Sequence, residues 1–363
     1  MTISVLKELS PETRVSLLPE HIITLKKWQA NVLVEYGAGI NAFATDEKYT
    51  EAGATVLPRQ QAIQQADIIL SINAPADDDI DEMGGKILLG LFQFLFNKEK
   101  IEGWASKNIT VFSMDMLPRT TRAQSMDVLS SQANIAGYKS VLKAASSYSR
   151  YFPMFMTAAG SIPPAKVMIL GAGVAGLQAI ATAKRLGAVI EVFDTRPAVK
   201  EEVMSLGAKF IEVEGAADAS KAGGYAVEQT EDFMQRQKAK IAESVAKADI
   251  VITTAQIPGK KAPILITSEM MSKMKHGSII IDTAAATGGN TEVTKNNETI
   301  VKDGVTVIGN SFLPSEMPSD ASKLYGKNIL NFLQLIIKDG NLNLNLEDDL
   351  VKGTCVAKQN ASV

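Results

Sequence analysis

Cysteine occurs once in the 363 residues, at Cys355, and histidine only twice, at His21 and His276. A lone cysteine makes no internal disulfide, and one thiol with two imidazoles falls short of a usual zinc ligand set, so no metal is expected. A reducing compartment is the natural setting. Also missing is any basic block able to neutralise a row of phosphates. The 37 Lys and Arg are matched by 40 Asp and Glu, net charge −3, so nucleic acid is not an expected partner. The opening residues lack the apolar stretch of a signal peptide. The longest uncharged run, residues 167–183, is interrupted by three glycines. It falls short of the roughly 20 residues that a bilayer helix needs. No direct membrane span is expected, and the chain reads as soluble. What remains is 46% hydrophobic and 21% charged, the balance of a globular protein, at a length suggesting two domains.

Short apolar runs separated by polar or amphipathic stretches mark buried parallel strands alternating with helices. Two series appear: 3–6, 31–35, 66–71, 86–95 and 109–113, then 165–170, 189–193, 209–213, 249–255, 278–282 and 305–309. The alternation predicts an α/β fold of two doubly wound parallel-sheet lobes. "QQADIILSINAP" at 64–75 echoes "AKADIVITTAQIP" at 246–258, a weak internal repeat that suggests two copies of one plan. Such lobes would enclose an interlobe cleft. The expected division is a first lobe of 1–130 plus about 325–363 and a second of 131–324. The second includes an interlobe helix and a loop at 215–240. An apolar helix near 324–337 is expected to return to the first lobe.

The strongest motif is "KVMILGAGVAGLQAIATAKRLGAVIEVFD". Gly171, Gly173 and Gly176 form G-x-G-x-x-G directly after a strand and at the opening of a helix. The glycines permit a tight turn, close approach of a pyrophosphate and close helix–strand packing. Ala172, Val174 and Ala175 complete the loop, whose free N–H groups face the diphosphate. Asp194 ends the next strand, 23 residues after Gly171, where a carboxylate binds the adenosine ribose; Thr195 and Arg196 follow it. Asp194 would repel a 2′-phosphate, which favours NAD(H) over NADP(H), although Arg196 could accept that phosphate. The first lobe has no such glycine loop. Its opening "LKELSPETRVSLLPE" offers Lys7, Glu8 and Arg14 instead, so one nucleotide per chain is expected.

Two further segments stand out. In "PRTTRAQSMDVLSSQANIAGY", Thr121 and Gln124 read as the capping box of a long helix, with Asp127 suited to the helix dipole. The same stretch gathers Arg119, Gln124, Asp127 and Ser130, whose carboxamide and carboxylate could hold a nicotinamide amide. The second segment, around Gly223-Gly224-Tyr225, is either a solvated excursion or a lid with a glycine hinge and an aromatic tip.

Taken together, these stretches resemble the NAD(H)-binding component, domain I, of the proton-translocating nicotinamide nucleotide transhydrogenases. The resemblance runs from "KELSPETRVSLLPE" through "FPMFMTAAGSIPPAKVMILGAG", "AGGYA" and "ITTAQIPGKKAPILIT" to "GTCV". It implies a Rossmann-like fold and direct, Si–Re specific hydride transfer between NAD(H) here and NADP(H) on a partner component. Membrane subunits would couple this transfer to proton translocation. It places Arg119, Gln124, Asp127 and Ser130 near the nicotinamide, Tyr225 and Gly224 on a mobile loop, and Asp194 on the ribose. Thr254, Ala255 and Gln256 fall beside the nucleotide. It also implies a homodimer, and a cytoplasmic chain peripheral to the inner membrane through its partner subunits. The family's "DLAAETGGN" reads "DTAAATGGN" here, with Ala286 replacing an acid and with Asp282 and Asn290 kept. The chain looks like the separate alpha-1 subunit of a split enzyme.

The nearest rival is an alanine dehydrogenase-like amino-acid oxidoreductase, which needs proton chemistry in the first lobe. Alanine dehydrogenases carry a lysine in "VKEP" and a histidine in "FLHL"; Asn73 and Gln93 stand at the matching places. His21 reads as a helix-surface or half-buried residue, and His276 as a turn residue. A non-catalytic NAD(H)-sensing module is the third reading. Hydride transfer between two nicotinamides moves no proton at the reacting carbons, so positioning groups suffice for it.

Overall fold

The computed structural model describes residues 1–213 and 230–358. Two compact units divide the chain: Met1–Gln132 with Pro314–Val363, and Ala133–Leu313. Three helices bear on the site: α1 (Val128–Ser147), α2 (Val174–Arg185) and α3 (Pro318–Ile336).

The first unit is built on β1 (Thr2–Val5), β2 (Asn31–Glu35), β3 (Thr55–Leu57), β4 (Ile68–Leu70), β5 (Ile87–Gly90) and β6 (Thr110–Ser113). These pair in parallel in the order β6-β5-β4-β1-β2-β3, and the strand Cys355–Ala357 adds antiparallel to β6. The central strands are apolar on both faces because helices cover both, as a parallel sheet requires. On one face α3 supplies Tyr325, Ile329, Phe332, Leu333 and Ile336, all buried with Ile3, Val5, Ile68 and Phe112. On the other, Trp104 and Phe92 meet edge to face with centroids 5.8 Å apart.

The second unit opens with most of α1, followed by the hairpin β7 (Phe155–Thr157) and β8 (Gly160–Ile162), which joins neither large sheet. Its main sheet comprises β9 (Lys166–Leu170), β10 (Val189–Phe193), β11 (Lys209–Phe210), β12 (Ile250–Thr253), β13 (Ile279–Asp282), β14 (Thr299–Lys302) and β15 (Val305–Gly309). The order is β11-β10-β9-β12-β13-β15-β14, parallel except for β14 against β15. This is the first unit's plan again. The first strand is central, the next two lie on one side, three further parallel strands lie on the other, and an antiparallel edge strand closes the sheet. In the second unit that edge strand precedes the last parallel one in the chain. The apolar runs do not signal either antiparallel edge. Both edge strands are short, and Thr299–Lys302 alternates exposed with half-buried residues.

Two local expectations need correction. Residues Thr121–Met126 form a 3-10 turn with no side-chain cap, so the Thr121–Gln124 capping box does not form. The α-helix starts only at Val128, and Asp127 caps it. Its carboxylate accepts the Ser130 N–H at 2.9 Å and the Ser130 hydroxyl at 2.6 Å. His21 is buried, not on the surface: its Nδ1 accepts the Leu18 N–H at 2.9 Å, and burial lowers its pKa.

Candidate functional site

In an open parallel sheet, ligands bind beyond the carboxyl ends of the strands where the strand order reverses. In the second unit that point lies between β9 and β12. The loops leaving these strands hold Gly171–Gly173 and Thr254–Gln256. Gly171 has φ +104, a left-handed conformation that glycine adopts without strain. Its neighbour across the turn is Thr254, whose hydroxyl donates to the Gly171 carbonyl at 3.0 Å. Gly176 packs so closely that a Cβ there would lie 1.9 Å from the Gly171 carbonyl oxygen. α1 presses on the same turn of helix: a Cβ on Gly137 would meet the Ala175 carbonyl oxygen at 2.1 Å.

The residues present fit a dinucleotide. α2 starts after Gly173, which offers no side chain to cap the helix, so its first N–H groups are left for a ligand. The space over Gly173 is open; a Cβ built there meets nothing within 4 Å. Asp194, just after β10, accepts the Ala172 N–H at 2.7 Å and so ties the glycine loop to the end of β10. Arg196 closes onto the same carboxylate, Nη2 to Oδ2 at 2.8 Å and Nε to Oδ1 at 2.9 Å. Hydrogen bonding to Asp194 raises the Arg196 pKa. Beside them opens a cavity of about 690 Å³ lined by Phe193, Asp194, Thr195, Lys200, Phe210 and Arg236, large enough for an adenosine.

Beyond β12, Ala255 is held by Asn290, a residue to which the sequence assigns no role. Asn290 Oδ1 accepts the Ala255 N–H at 3.1 Å, and its Nδ2 donates to the Ala255 and Pro263 carbonyls at 2.9 and 2.8 Å. Asn290 is itself fixed by Asp282, which accepts its N–H at 2.6 Å and the Thr294 hydroxyl at 2.6 Å. The retained "GGN" triplet was the available signal. Gln256 is exposed, with its amide 3.3 Å from the Thr283 carbonyl.

The corresponding point of the first unit lies between β1 and β4. Here there is no glycine loop, and the chain's own polar groups fill the position. Glu12 takes Arg14 on both oxygens, at 2.9 and 2.7 Å, and accepts the Ser315 hydroxyl at 2.6 Å. Arg14 reaches on to Gln132 Oε1 of α1 at 2.8 Å. Asn73 bridges the two carboxylates, its Nδ2 lying 3.1 Å from Glu8 and 3.2 Å from Glu12. Burial raises the Glu8 pKa against the N–H donors of Ile72 and Asn73. Burial also works against ionised Glu12, but the Arg14 bonds and charge outweigh it and hold the group at about 2.

Of the remaining candidates, Asp127 and Ser130 are bonded to each other at the start of α1, both half-buried. Gln124 is exposed on the preceding turn, and Arg119 is exposed on the loop before it. Tyr225 and Gly224 lie outside the described residues. Among those described, no cluster of His, Cys, Asp and Glu could hold a metal ion.

Comparison with known proteins divides the chain by sequence, with the segment after residue 313, which folds into the first unit, falling in the C-terminal match. Residues 4–136 match the model "Alanine dehydrogenase/PNT, N-terminal domain", and residues 140–363 match "Alanine dehydrogenase/PNT, C-terminal domain". The chain is 47% identical over 375 residues to the first part of the NAD(P) transhydrogenase alpha subunit of Rhodospirillum rubrum, covering 100% of this chain and 98% of that one. It superposes on a transhydrogenase from Sinorhizobium meliloti with TM-score 0.91 at 43% identity, covering 100% of both chains. An L-alanine dehydrogenase is a more distant match, with TM-score 0.80 at 26% identity over 97% of this chain and 94% of that one. Over both of its units, the chain belongs to the alanine dehydrogenase/PNT family.

Proposed function

We propose that this chain is the NAD(H)-binding alpha subunit of a proton-translocating transhydrogenase. It passes a hydride, with Si–Re specificity, between NAD(H) held in the second unit and NADP(H) on a partner component, and membrane subunits carry the coupled proton. The observation that carries this reading is the pairing of a complete dinucleotide cradle at Gly171–Gly176 and Asp194 with Asn73 at the first unit's switch point. There the family's dehydrogenases bear a lysine. The Asn73 amide cannot titrate, and it is already bound to Glu8 and Glu12.

Bound NAD(H) supplies a nicotinamide C4 as hydride donor or acceptor. The chain's own part is geometric. The N-terminus of α2 receives the diphosphate, Asp194 the ribose, and Thr254–Gln256 line the nucleotide. Gln124 and Asp127 orient the ring amide, with Asp127 pre-set by its bonds to Ser130; Arg119 shapes the site and Tyr225 closes it. Bringing two C4 atoms to about 3–3.5 Å with water excluded is what the reaction requires.

The chain acts as a homodimer in this reading. The β7–β8 hairpin supports it: Met154 and Met156 are 62% and 71% exposed, and Tyr151 stacks on Phe155 at 4.8 Å. A free two-stranded hairpin is marginal in water and gains from a covering partner. No helix among the described residues is long and apolar enough to cross a membrane. Attachment to the inner membrane from the cytoplasmic side is therefore assigned to the partner subunits.

One observation favours a second reading, an amino-acid oxidoreductase: burial raises the pKa of the Glu8 carboxyl at the first unit's switch point, and such an enzyme would need a proton acceptor in that unit. The two readings separate in one experiment. The chain is mixed with an NADP(H)-binding component, and reduction of the acetylpyridine analogue of NAD+ by NADPH is followed; alanine with NAD+ is assayed separately. Turnover in the first assay alone supports the transhydrogenase. Turnover in the second alone overturns it, and tight NADH binding with no turnover in either leaves a sensing module.

A further inference from the structure

Two amide side chains of α3 converge on one carbonyl oxygen in the turn that carries Gln124. Asn328 and Asn331 are three residues apart and so lie on one face of the helix. Each donates its Nδ2–H to the Ser125 carbonyl at 2.8 Å. That carbonyl has two lone pairs, and both are taken. Ser125 directly follows Gln124, so the pair of bonds fixes the Ser125–Met126 peptide, one residue beyond it. Around this point Ala123 and Met126 are buried in the first unit's core, and Arg122 pairs with Asp348 and with Asp349, the latter at 2.7 Å. Gln124 is exposed on this turn, as are Thr121, Arg122 and Ser125.

The energetics of Asn328 argue against a purely structural role. It is only 9% exposed, and its Oδ1 has no hydrogen-bond partner. A buried polar atom without a partner costs stability, and leucine would fill much the same space without that cost. The helix nonetheless keeps a donor there, aimed at the backbone beside Gln124. We propose that Asn328 and Asn331 are positioning residues for hydride transfer, setting the Ser125 peptide so that the Gln124 carboxamide is presented in one orientation. This rests on the assignment of Gln124 to the nicotinamide ring.

The test uses the full chain with an NADP(H)-binding component. Thermal midpoint, NADH affinity and single-turnover hydride transfer are measured for Asn328→Leu, Asn331→Leu and Gln124→Ala. Asn331→Leu serves where Asn328→Leu fails to fold. The expected result is a midpoint no lower than that of the parent and NADH affinity within about two-fold. Hydride transfer slows on the order of ten-fold, the scale of one lost hydrogen bond. In the Gln124→Ala background, either leucine should slow transfer no further, which a general loss of packing would not reproduce. Slowing of equal size in both backgrounds overturns the inference. So does unchanged transfer in the leucine variants when Gln124→Ala is slow. If Gln124→Ala itself transfers hydride at the parent rate, the nicotinamide assignment falls and takes this inference with it, while transhydrogenation itself stands.

Discussion

Arg196 grips Asp194 through two parallel hydrogen bonds, with its own backbone N–H making a third to the same carboxylate at 2.8 Å. The guanidinium that could receive a 2′-phosphate is therefore neutralised by the carboxylate proposed to receive the ribose. Asp194→Ala removes the ribose acceptor and releases Arg196 beside Lys200 in the same cavity. NADH affinity is expected to fall by about 1.5–3 kcal/mol, the scale of a charged hydrogen bond, while NADPH affinity rises. Fluorescence titrations with both nucleotides measure the ratio; an unchanged preference would show that Arg196 plays no part in discrimination.

Gln124→Asn shortens the side chain by one methylene and withdraws the carboxamide from the proposed ring position without altering the turn. Hydride transfer should slow far more than NADH binding weakens. Stopped-flow rates set against equilibrium titrations check this, and equal losses in both would argue against an orienting role.

The two carboxylates joined by Asn73 pull stability in opposite directions with pH. Glu12 is held at about 2, below its ordinary 4.5. Its contribution is thus complete above pH 4.5 and lost as pH falls toward 2, amounting to about 3 kcal/mol. Glu8 is raised, so its contribution is complete below pH 4.5 and lost as pH climbs through its folded value. Glu8→Gln should raise the melting temperature at neutral pH and leave the acid limb in place. Glu12→Gln should flatten that limb while lowering stability throughout, because Arg14 stays buried without its partner. Melting curves from pH 2 to 8 distinguish the pair.

Gly137→Ala tests the contact between α1 and the turn of α2 that follows the glycine loop. The added methyl would sit 2.1 Å from the Ala175 carbonyl oxygen, and backbone cannot yield as a flexible side chain can. Overpacking of this kind costs about 1–3 kcal/mol. A lowered melting temperature together with weakened NADH binding is expected. Weakened stability with unchanged affinity would mean that the loop does not depend on α1.

Much of the fold was legible because buried parallel strands announce themselves as apolar runs, and the repeat at 64–75 and 246–258 extends to individual bonds. Asp67, just before β4, accepts the Thr2 N–H at 2.7 Å; Asp249, just before β12, accepts the Lys166 N–H at 2.9 Å. The same carboxylate thus meets the start of the central strand in each sheet. The strand, glycine turn and helix at 166–185 were equally readable, since they are close in sequence. What escaped was long-range. Thr121 and Gln124 satisfy a local capping pattern, yet their turn is set by Asn328 and Asn331, 203 and 206 residues from Ser125. The Glu8, Glu12, Asn73 and Ser315 cluster gathers from three distant segments, and no spacing in the sequence signals it.

The first unit is discontinuous, made from residues 1–132 and from those after 313, with the whole second unit between them. During synthesis the second unit can therefore finish folding while the first still lacks α3. Until those late residues leave the ribosome, Ile3, Val5, Ile68 and Phe112 lack the cover that α3 gives them. The nascent polypeptide carries an incompletely covered apolar sheet for most of its translation, a period in which a holding chaperone would find its target in the amino-terminal third.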